Sequence, residues 1–390
     1  MTPDKAISIG DLKRVARRRL PKIIFDYIEG GAEDEAGIVR NEQRLRDILL
    51  VPRYLRDVST PAQGVEILGQ SFARPFGIAP TGMAAIAYAD ADLHLAKAAA
   101  SAGAPFILSG ASNSSIEKIA AVHPGAWYQI YLPKSEHIAE DLLKRMEVAG
   151  LSTLVVTVDV PAHSKRERSI RAGWVRPYKP TLAATLEAAL HPAWVVRYLR
   201  DGLPYLENWQ AYAETGASAM DVTGIFAREV PAIQTWDRLK RIREQWPGKL
   251  VVKGILHPQD ALDAVAAGCD GIIVSNHGGR QFDRSPAPVE VFPAIHKAVG
   301  EATTLMLDSG ITRGSDVVAA FCLGARMTFV GRATLYGVAA FGRAGADRAL
   351  AILGREIELA LSQIGCPSIS ELDESYLQHG NASASMTSAT

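Results

Sequence analysis

Long hydrophobic runs are absent. No stretch of the 390 residues approaches the uninterrupted apolar length that spans a membrane as a helix. The N-terminus, MTPDKAISIGDLKRVARRRL, lacks the apolar core of a secretory signal. Cysteine is scarce, and Cys269, Cys322 and Cys366 follow no disulfide or metal-ligand spacing. That fits a reducing compartment, with each thiol acting as a small buried hydrophobe. An excess of charge is missing too: 42 Lys and Arg face 42 Asp and Glu, which leaves no global field to draw nucleic acid. Seven histidines (94, 123, 137, 191, 257, 296 and 379) are scattered and receive no role, and no metal site is expected. Asn-x-Ser matches at Asn113 and Asn381 mean little without a secretory signal. These absences describe a cytoplasmic protein, soluble or peripheral on the inner face of the cell membrane.

What is present is ordinary globular composition, 48% hydrophobic and 22% charged, enough for a large core. Residues 10–50 read as helical, with Asp11 as the cap of a first helix and Pro21 opening a second that contains Ile24 and Phe25. Gly30-Gly31 ends that helix. From residue 76 a rhythm sets in, of short apolar runs alternating with Ala-rich helical patterns. The runs are Phe76–Ala79, Pro105–Leu108, Ala126–Ile130, Thr153–Val158, Leu250–Val252, Gly271–Val274, Thr304–Leu307 and Met327–Val330. Eight β-α units predict an α/β fold, a closed (β/α)8 TIM barrel, because parallel strands need crossover helices. A doubly wound sheet competes, but no G-x-G-x-x-G follows the first run.

The expected organisation is a single domain over 1–379, with its barrel core at about 76–366. The tail from 380 to 390 is small, polar and expected to be disordered. A long insertion, at about 160–233, breaks the rhythm after the fourth strand. It begins with Lys165, Arg166, Arg168, Arg171, Arg176 and Lys179 against a single acid, Glu167, and continues as an apolar stretch containing HPAW. A lid, a surface touching anionic membrane, and a packed excursion with solvated charges are all compatible with it.

Barrels place their chemistry at the C-terminal ends of strands. Those ends carry Pro80-Thr81-Gly82, Ser109, Gln129 with Tyr131, Thr157 with Asp159, and Lys253-Gly254. They continue with Ser275, His277 and Arg280 in GIIVSNHGGRQFD, then Asp308-Ser309-Gly310 with Arg313, and Gly331-Arg332. The last two clusters suit a phosphate on backbone amides and helix N-termini, so a phosphate-bearing cofactor is implied. Ser109, Gln129 and Thr157 suit the polar edge of a flavin, and Lys253 sits where a positive charge stabilises a reduced ring.

The blocks SNHGGRQFD, FDYIEGGAEDE, IAPTGM, WYQIY, TVDVP, LVVKG, DSGITRG and VGRATLYG resemble, in order, the FMN-dependent α-hydroxy acid dehydrogenase/oxidase family. QIGCPSI and the HPAW insertion are similar to its mandelate-oxidising branch. The resemblance implies FMN as cofactor and an L-2-hydroxy acid as substrate. It implies His277 as base, Asp159 holding the imidazolium, and Arg166 and Arg280 clamping the carboxylate. Tyr27 and Tyr131 would bond substrate oxygens. A homotetramer is implied as well. Thr312 stands where the family usually has Arg, so the phosphate would fall to Arg313 and Arg332. Ala111 replaces the Trp of glycolate oxidase and leaves room for an aryl group, while His163 is either a specificity residue or merely exposed. Gly82 matches the dehydrogenase branch, which favours a quinone or electron-transfer protein over oxygen as acceptor. An oxygen-using oxidase and an L-lactate dehydrogenase are the near alternatives. A Schiff-base aldolase through Lys253 is a rival class, and a non-catalytic flavin module would not need His277, Asp159, Arg166 and Arg280 together. A cysteine-dependent barrel fails, because Cys269 precedes the sixth strand and Cys322 falls in a helix.

Overall fold

The computed structural model describes residues 1–173, 182–230 and 232–378. The tail from 380, and Arg176 and Lys179 of the basic run, lie outside the described residues. Each apolar run forms a strand: β1 (Phe76–Ile78), β2 (Ile107–Leu108), β3 (Trp127–Ile130), β4 (Thr153–Thr157), β5 (Lys249–Ile255), β6 (Gly271–Val274), β7 (Thr304–Asp308) and β8 (Met327–Val330). Their hydrogen-bonded order is β1-β8-β7-β6-β5-β4-β3-β2, parallel throughout. Parallel pairing of Ile78 with Phe106, and the Ile78 amide on the Pro105 carbonyl at 2.9 Å, join β1 to β2 and close the ring.

Strand periodicity of two divides the core into two layers. Ile107, Trp127, Val155, Val251, Ile273 and Met306 belong to one buried cluster, the filled interior of the barrel. Their neighbours Leu154, Val156, Leu250, Val252, Ile272 and Leu307 belong to the larger cluster shared with the helices. A hairpin of Val65–Ile67 and Gln70–Phe72 packs Ile67 and Phe72 on the interior layer, and the Trp127 indole donates to the Gln70 side chain at 2.7 Å. This seals one end, leaving the end bearing the polar residues for chemistry.

Three helices precede the barrel: α1 (Ile9–Arg19), α2 (Lys22–Glu29) and α3 (Ala36–Arg46). Asp11 is not the cap of α1. Ser8 takes that place, and Asp11, three residues on, returns a bond to the Ser8 amide, completing a capping box. The shorter Ser hydroxyl reaches the third amide directly, which leaves the carboxylate to close the motif. Gly30 does end α2, but with extended backbone (φ −63°) instead of a left-handed turn. Asn41 of α3 and Asn276 after β6 exchange side-chain hydrogen bonds of 2.8 and 2.6 Å, and the Gly37 amide donates to Asp283 at 2.7 Å. The N-terminal helices are thereby bonded to the loop that follows β6.

Candidate active site

The loops after the strands surround a cavity of about 530 Å3. Tyr27, Pro80, Thr81, Gly82, Tyr131, Arg166, Lys253, His277 and Arg280 line it, as do Asp308, Ser309, Gly310, Arg313, Gly331 and Arg332. Ser109, Gln129, Thr157 and Ser275 are buried at the strand ends behind that lining. Gln129 accepts from the Ser109 hydroxyl at 3.3 Å and from the Gly110 amide at 3.1 Å. Its own Nε2 has no partner, and neither does Thr157 Oγ1. An unpaired buried donor is costly, so these two groups call for the polar edge of a ligand. A flavin edge, which offers carbonyl oxygens and ring nitrogens, fits them. Lys253 Nζ donates to Ser275 Oγ at 2.8 Å and pairs with Asp308 at 3.0 Å, placing a fixed cation beside that edge.

His277 occupies left-handed backbone (φ +58°), a conformation uncommon for residues other than glycine. Its Nδ1 lies 3.0 Å from Asp159 Oδ1. A carboxylate on Nδ1 assigns the proton to that nitrogen and leaves Nε2 as the basic atom. Burial holds the His277 pKa below its ordinary value, assisted by Lys253 and Arg166 and opposed by Asp159. Burial raises the Asp159 carboxyl, but His277 and Lys253 outweigh it and hold that carboxyl below the usual range. Both directions favour a neutral imidazole beside a carboxylate. Gly254 makes the approach possible: a Cβ there would lie 2.7 Å from the Asp159 side chain. The register shift in β5 between Lys253 and Ile255 falls at this glycine.

Arg280 donates to the carbonyls of Tyr27 at 3.0 Å, Ile28 at 3.2 Å and Gly30 at 2.7 Å. Arg166 Nε meets Ser164 Oγ at 3.0 Å and the Arg280 carbonyl at 3.3 Å. Burial and the like charges of Arg166 and Arg332 act against the Arg280 cation. A guanidinium does not lose its proton in a protein, so the cluster attracts an anion instead. Tyr131 stacks on His277 with centroids 6.4 Å apart, and Tyr27 Oη donates to the Gly82 carbonyl at 3.1 Å.

The phosphate end differs from the sequence expectation. Arg313 lines the cavity, but its guanidinium pairs with Glu356 at 2.7 Å. The amides of Thr312 and Arg313 both donate to Asp316 at 2.8 Å, and that of Gly314 to Glu356 at 2.8 Å. The helix Gly314–Cys322 thus has its first amides bonded to carboxylates already. The helix Arg332–Phe341 has no capping side chain and no acid in its first turn, so its N-terminus is the better anion site. The Arg332 guanidinium itself is spent on the carbonyls of Ile28, Gly30 and Gly278 at 2.9–3.2 Å.

Among the lining residues that the sequence did not single out are Phe226 and Val230. Phe226 comes from the insertion and meets Tyr131 edge-on at 6.2 Å. Only folding brings them together, since nothing in the insertion's local pattern points to a barrel mouth. Ala111 lines the cavity, as does His163, which is largely exposed. Arg168 instead pairs with Glu35 at 2.8 Å and is a structural tie.

A barrel with a polar strand-end cavity suited to flavin defines a class of cofactor-dependent oxidoreductase. The chain belongs to the FMN-dependent dehydrogenase family, whose model matches residues 16–379. It is an enzyme, and its cofactor is FMN. An (S)-mandelate dehydrogenase of Pseudomonas putida is 40% identical over 95% of this chain and 94% of its own. An L-lactate dehydrogenase of Pseudomonas syringae is 37% identical over 95% of this chain and 98% of its own. Among solved structures, a monotopic membrane (S)-mandelate dehydrogenase superposes with TM-score 0.92 at 39% identity, covering 96% and 100% of the two chains. A mandelate oxidase bound to (S)-mandelic acid has TM-score 0.80 at 32% identity, covering 96% and 98%.

Proposed function

We propose that this enzyme oxidises an aryl L-2-hydroxy acid, mandelate or a close analogue, to the 2-keto acid and passes the electrons to a quinone. The observation that carries the reading is the His277 imidazole, held 3.0 Å from Asp159 and lining one cavity with Arg166 and Arg280. Arg166 and Arg280 bind the substrate carboxylate, and Tyr27 and Tyr131 orient its oxygens. His277 Nε2 accepts the substrate proton, and Asp159 stabilises the imidazolium that forms. When bound, FMN supplies the two-electron acceptor. Ser109, Gln129, Thr157, Lys253 and Ser275 would hold its ring edge with Pro80, Thr81 and Gly82. Asp308, Ser309, Gly310, Gly331 and Arg332 would hold its phosphate end, with Arg313, paired to Glu356, beside them. The small Ala111, with Phe226 and Tyr131, supports an aryl substituent. Lys253 is ion-paired with buried Asp308, which opposes the free amine of a Schiff-base enzyme.

The test is the visible spectrum of the purified protein under anaerobic conditions. (S)-Mandelate is expected to bleach the yellow flavin rapidly and L-lactate slowly. Admitted air then recolours it slowly, whereas rapid recolouring with peroxide identifies an oxidase. A flavin that neither acid bleaches rules out the substrate reading.

Peripheral attachment to the inner face of the membrane belongs to the same proposal. Among the described residues no helix is long and apolar enough to cross a membrane. The helix Pro192–Asp201 and its flanks do expose Leu186, Leu190, Val196, Leu199 and Leu203, beside Arg197 and Arg200. Family resemblance supports a homotetramer, which light scattering measures.

A further inference from the structure

A second cavity, of about 1010 Å3, lies between the insertion and the barrel. Its volume stands at the upper end of the roughly 300–1,000 Å3 typical of small-molecule sites. Four elements line both cavities. α2 gives Tyr27 and Ile28 to the first cavity and Ile23 and Ile24 to the second. The loop after β2 gives Ala111 to one and Asn113 to the other. The insertion helix Ala219–Glu229 gives Phe226 to one, Thr223 and Ala227 to the other. In the loop after β1, Met83 lines both. The two cavities therefore share walls, and at Met83 they share a single flexible side chain on left-handed backbone (φ +57°).

Asp90, Arg197, Asp201 and Glu207 also line this cavity, but an apolar strip leads outward. Ile86, Trp194 and Val195 give way to Tyr198, Leu199 and Leu203, of which Leu199 is 75% exposed. That rim is the apolar face proposed above to rest on a membrane. An anionic hydroxy acid is disfavoured there, because Asp90, Asp201 and Glu207 outnumber the single Arg197 in the lining. A lipid-borne acceptor does.

We propose that this second cavity is the site of a prenylated quinone, its tail along the Trp194–Leu203 rim and its ring against Met83. The assignment rests on the proposed dehydrogenase activity. Oxidation of the hydroxy acid to a carbonyl releases two electrons and two protons. The quinone takes up the same two electrons and two protons as its hydroquinone, so the exchange balances.

Gly224 provides the test. It lines the cavity from the helix Ala219–Glu229, and a Cβ there would meet only one neighbouring atom, Arg228 Nη1, at 3.6 Å. Replacing a helical glycine also favours the helix. Holoenzyme in detergent, without substrate, is titrated with a benzoquinone carrying two isoprenoid units, and quenching of tryptophan fluorescence is followed. Trp194→Phe is expected to remove the quenching. Gly224→Phe is expected to weaken binding by roughly tenfold or more, the scale of an overpacking clash, and to slow reoxidation by that quinone equally. Gly224→Ala should keep the native affinity. Bleaching by substrate, and reoxidation by a small tailless dye, should not change in either variant. If Gly224→Phe does not fold, Ala227→Leu replaces it. An unchanged affinity in the filled variant would overturn the assignment, as would a cavity that prefers a short-chain phospholipid to the quinone. Native enzyme that substrate does not bleach fails the activity reading alone, since the binding titration needs no turnover. Enzyme that substrate bleaches but that binds no tailed quinone fails the cavity assignment alone.

Discussion

His277 combines an uncommon backbone conformation, a half-buried ring and one carboxylate 3.0 Å from Nδ1. Removing the base by His277→Asn should lower the rate of flavin bleaching by about 10²–10⁴-fold, the usual span for a general base. Stopped-flow absorbance reads it, and a near-native rate would remove His277 from the mechanism. The pH dependence follows from the pKa directions. His277 must be neutral to accept a proton, and burial lowers its pKa, so the acid limb of kcat/KM should lie below the ordinary imidazole value of about 6.5. Asp159 opposes that lowering. Asp159→Asn should therefore move the limb to still lower pH while reducing kcat, because the imidazolium loses its counter-charge. A limb that moves upward contradicts this account. The identities of these residues were legible in SNHGGRQFD and TVDVP. The ion pair of Arg313 was not legible, because its partner Glu356 comes from a helix 43 positions away.

At the scale of elements, the insertion is held to the barrel by a short 3-10 segment, Glu207–Tyr212. Trp209 is 1% exposed, donates to the Gly110 carbonyl at 2.8 Å and meets Phe226 edge-on at 5.1 Å. Asn208 accepts from the Ile116 amide at 3.0 Å. Trp209→Ala should cost about 3–5 kcal/mol, as large-to-small core changes do. Urea unfolding would show a lower midpoint. Because Phe226 loses its neighbour, KM for an aryl substrate should rise more than KM for lactate. A uniform change would mean that the insertion does not shape the substrate end. The insertion's length and its unusual charge run were evident in the sequence. Its contact with the loop after β2 was not, since that contact lies 99 positions apart along the chain.

For the whole molecule, the proposed arrangement has the barrel mouth, the insertion and the membrane on one side. Replacing Leu190, Val196 and Leu199 with Gln should release the protein from anionic vesicles without altering bleaching by substrate, and vesicle flotation measures it. Unchanged flotation would mean that this face is not the contact. The domain proposal, one unit over 1–379, adds that limited proteolysis should cut first within about 160–233 and leave the barrel core associated.

Local chemistry along the chain was sufficient for the barrel. Eight β-branched and apolar runs, each followed by a helical pattern, admit few other closures, and all eight became strands of one ring. Motif spacing was likewise sufficient to gather the strand-end residues around one cavity, because a strand end specifies where its next side chains stand. Three features depended on tertiary structure. One was which helix N-terminus remains open to an anion, settled by where Asp316 and Glu356 fall. Another was how the insertion folds back to bring Phe226 and Val230 to the mouth. The last was the single Met83 side chain between two cavities. Each depends on surfaces meeting across long separations, for which period and propensity within a short window carry no signal.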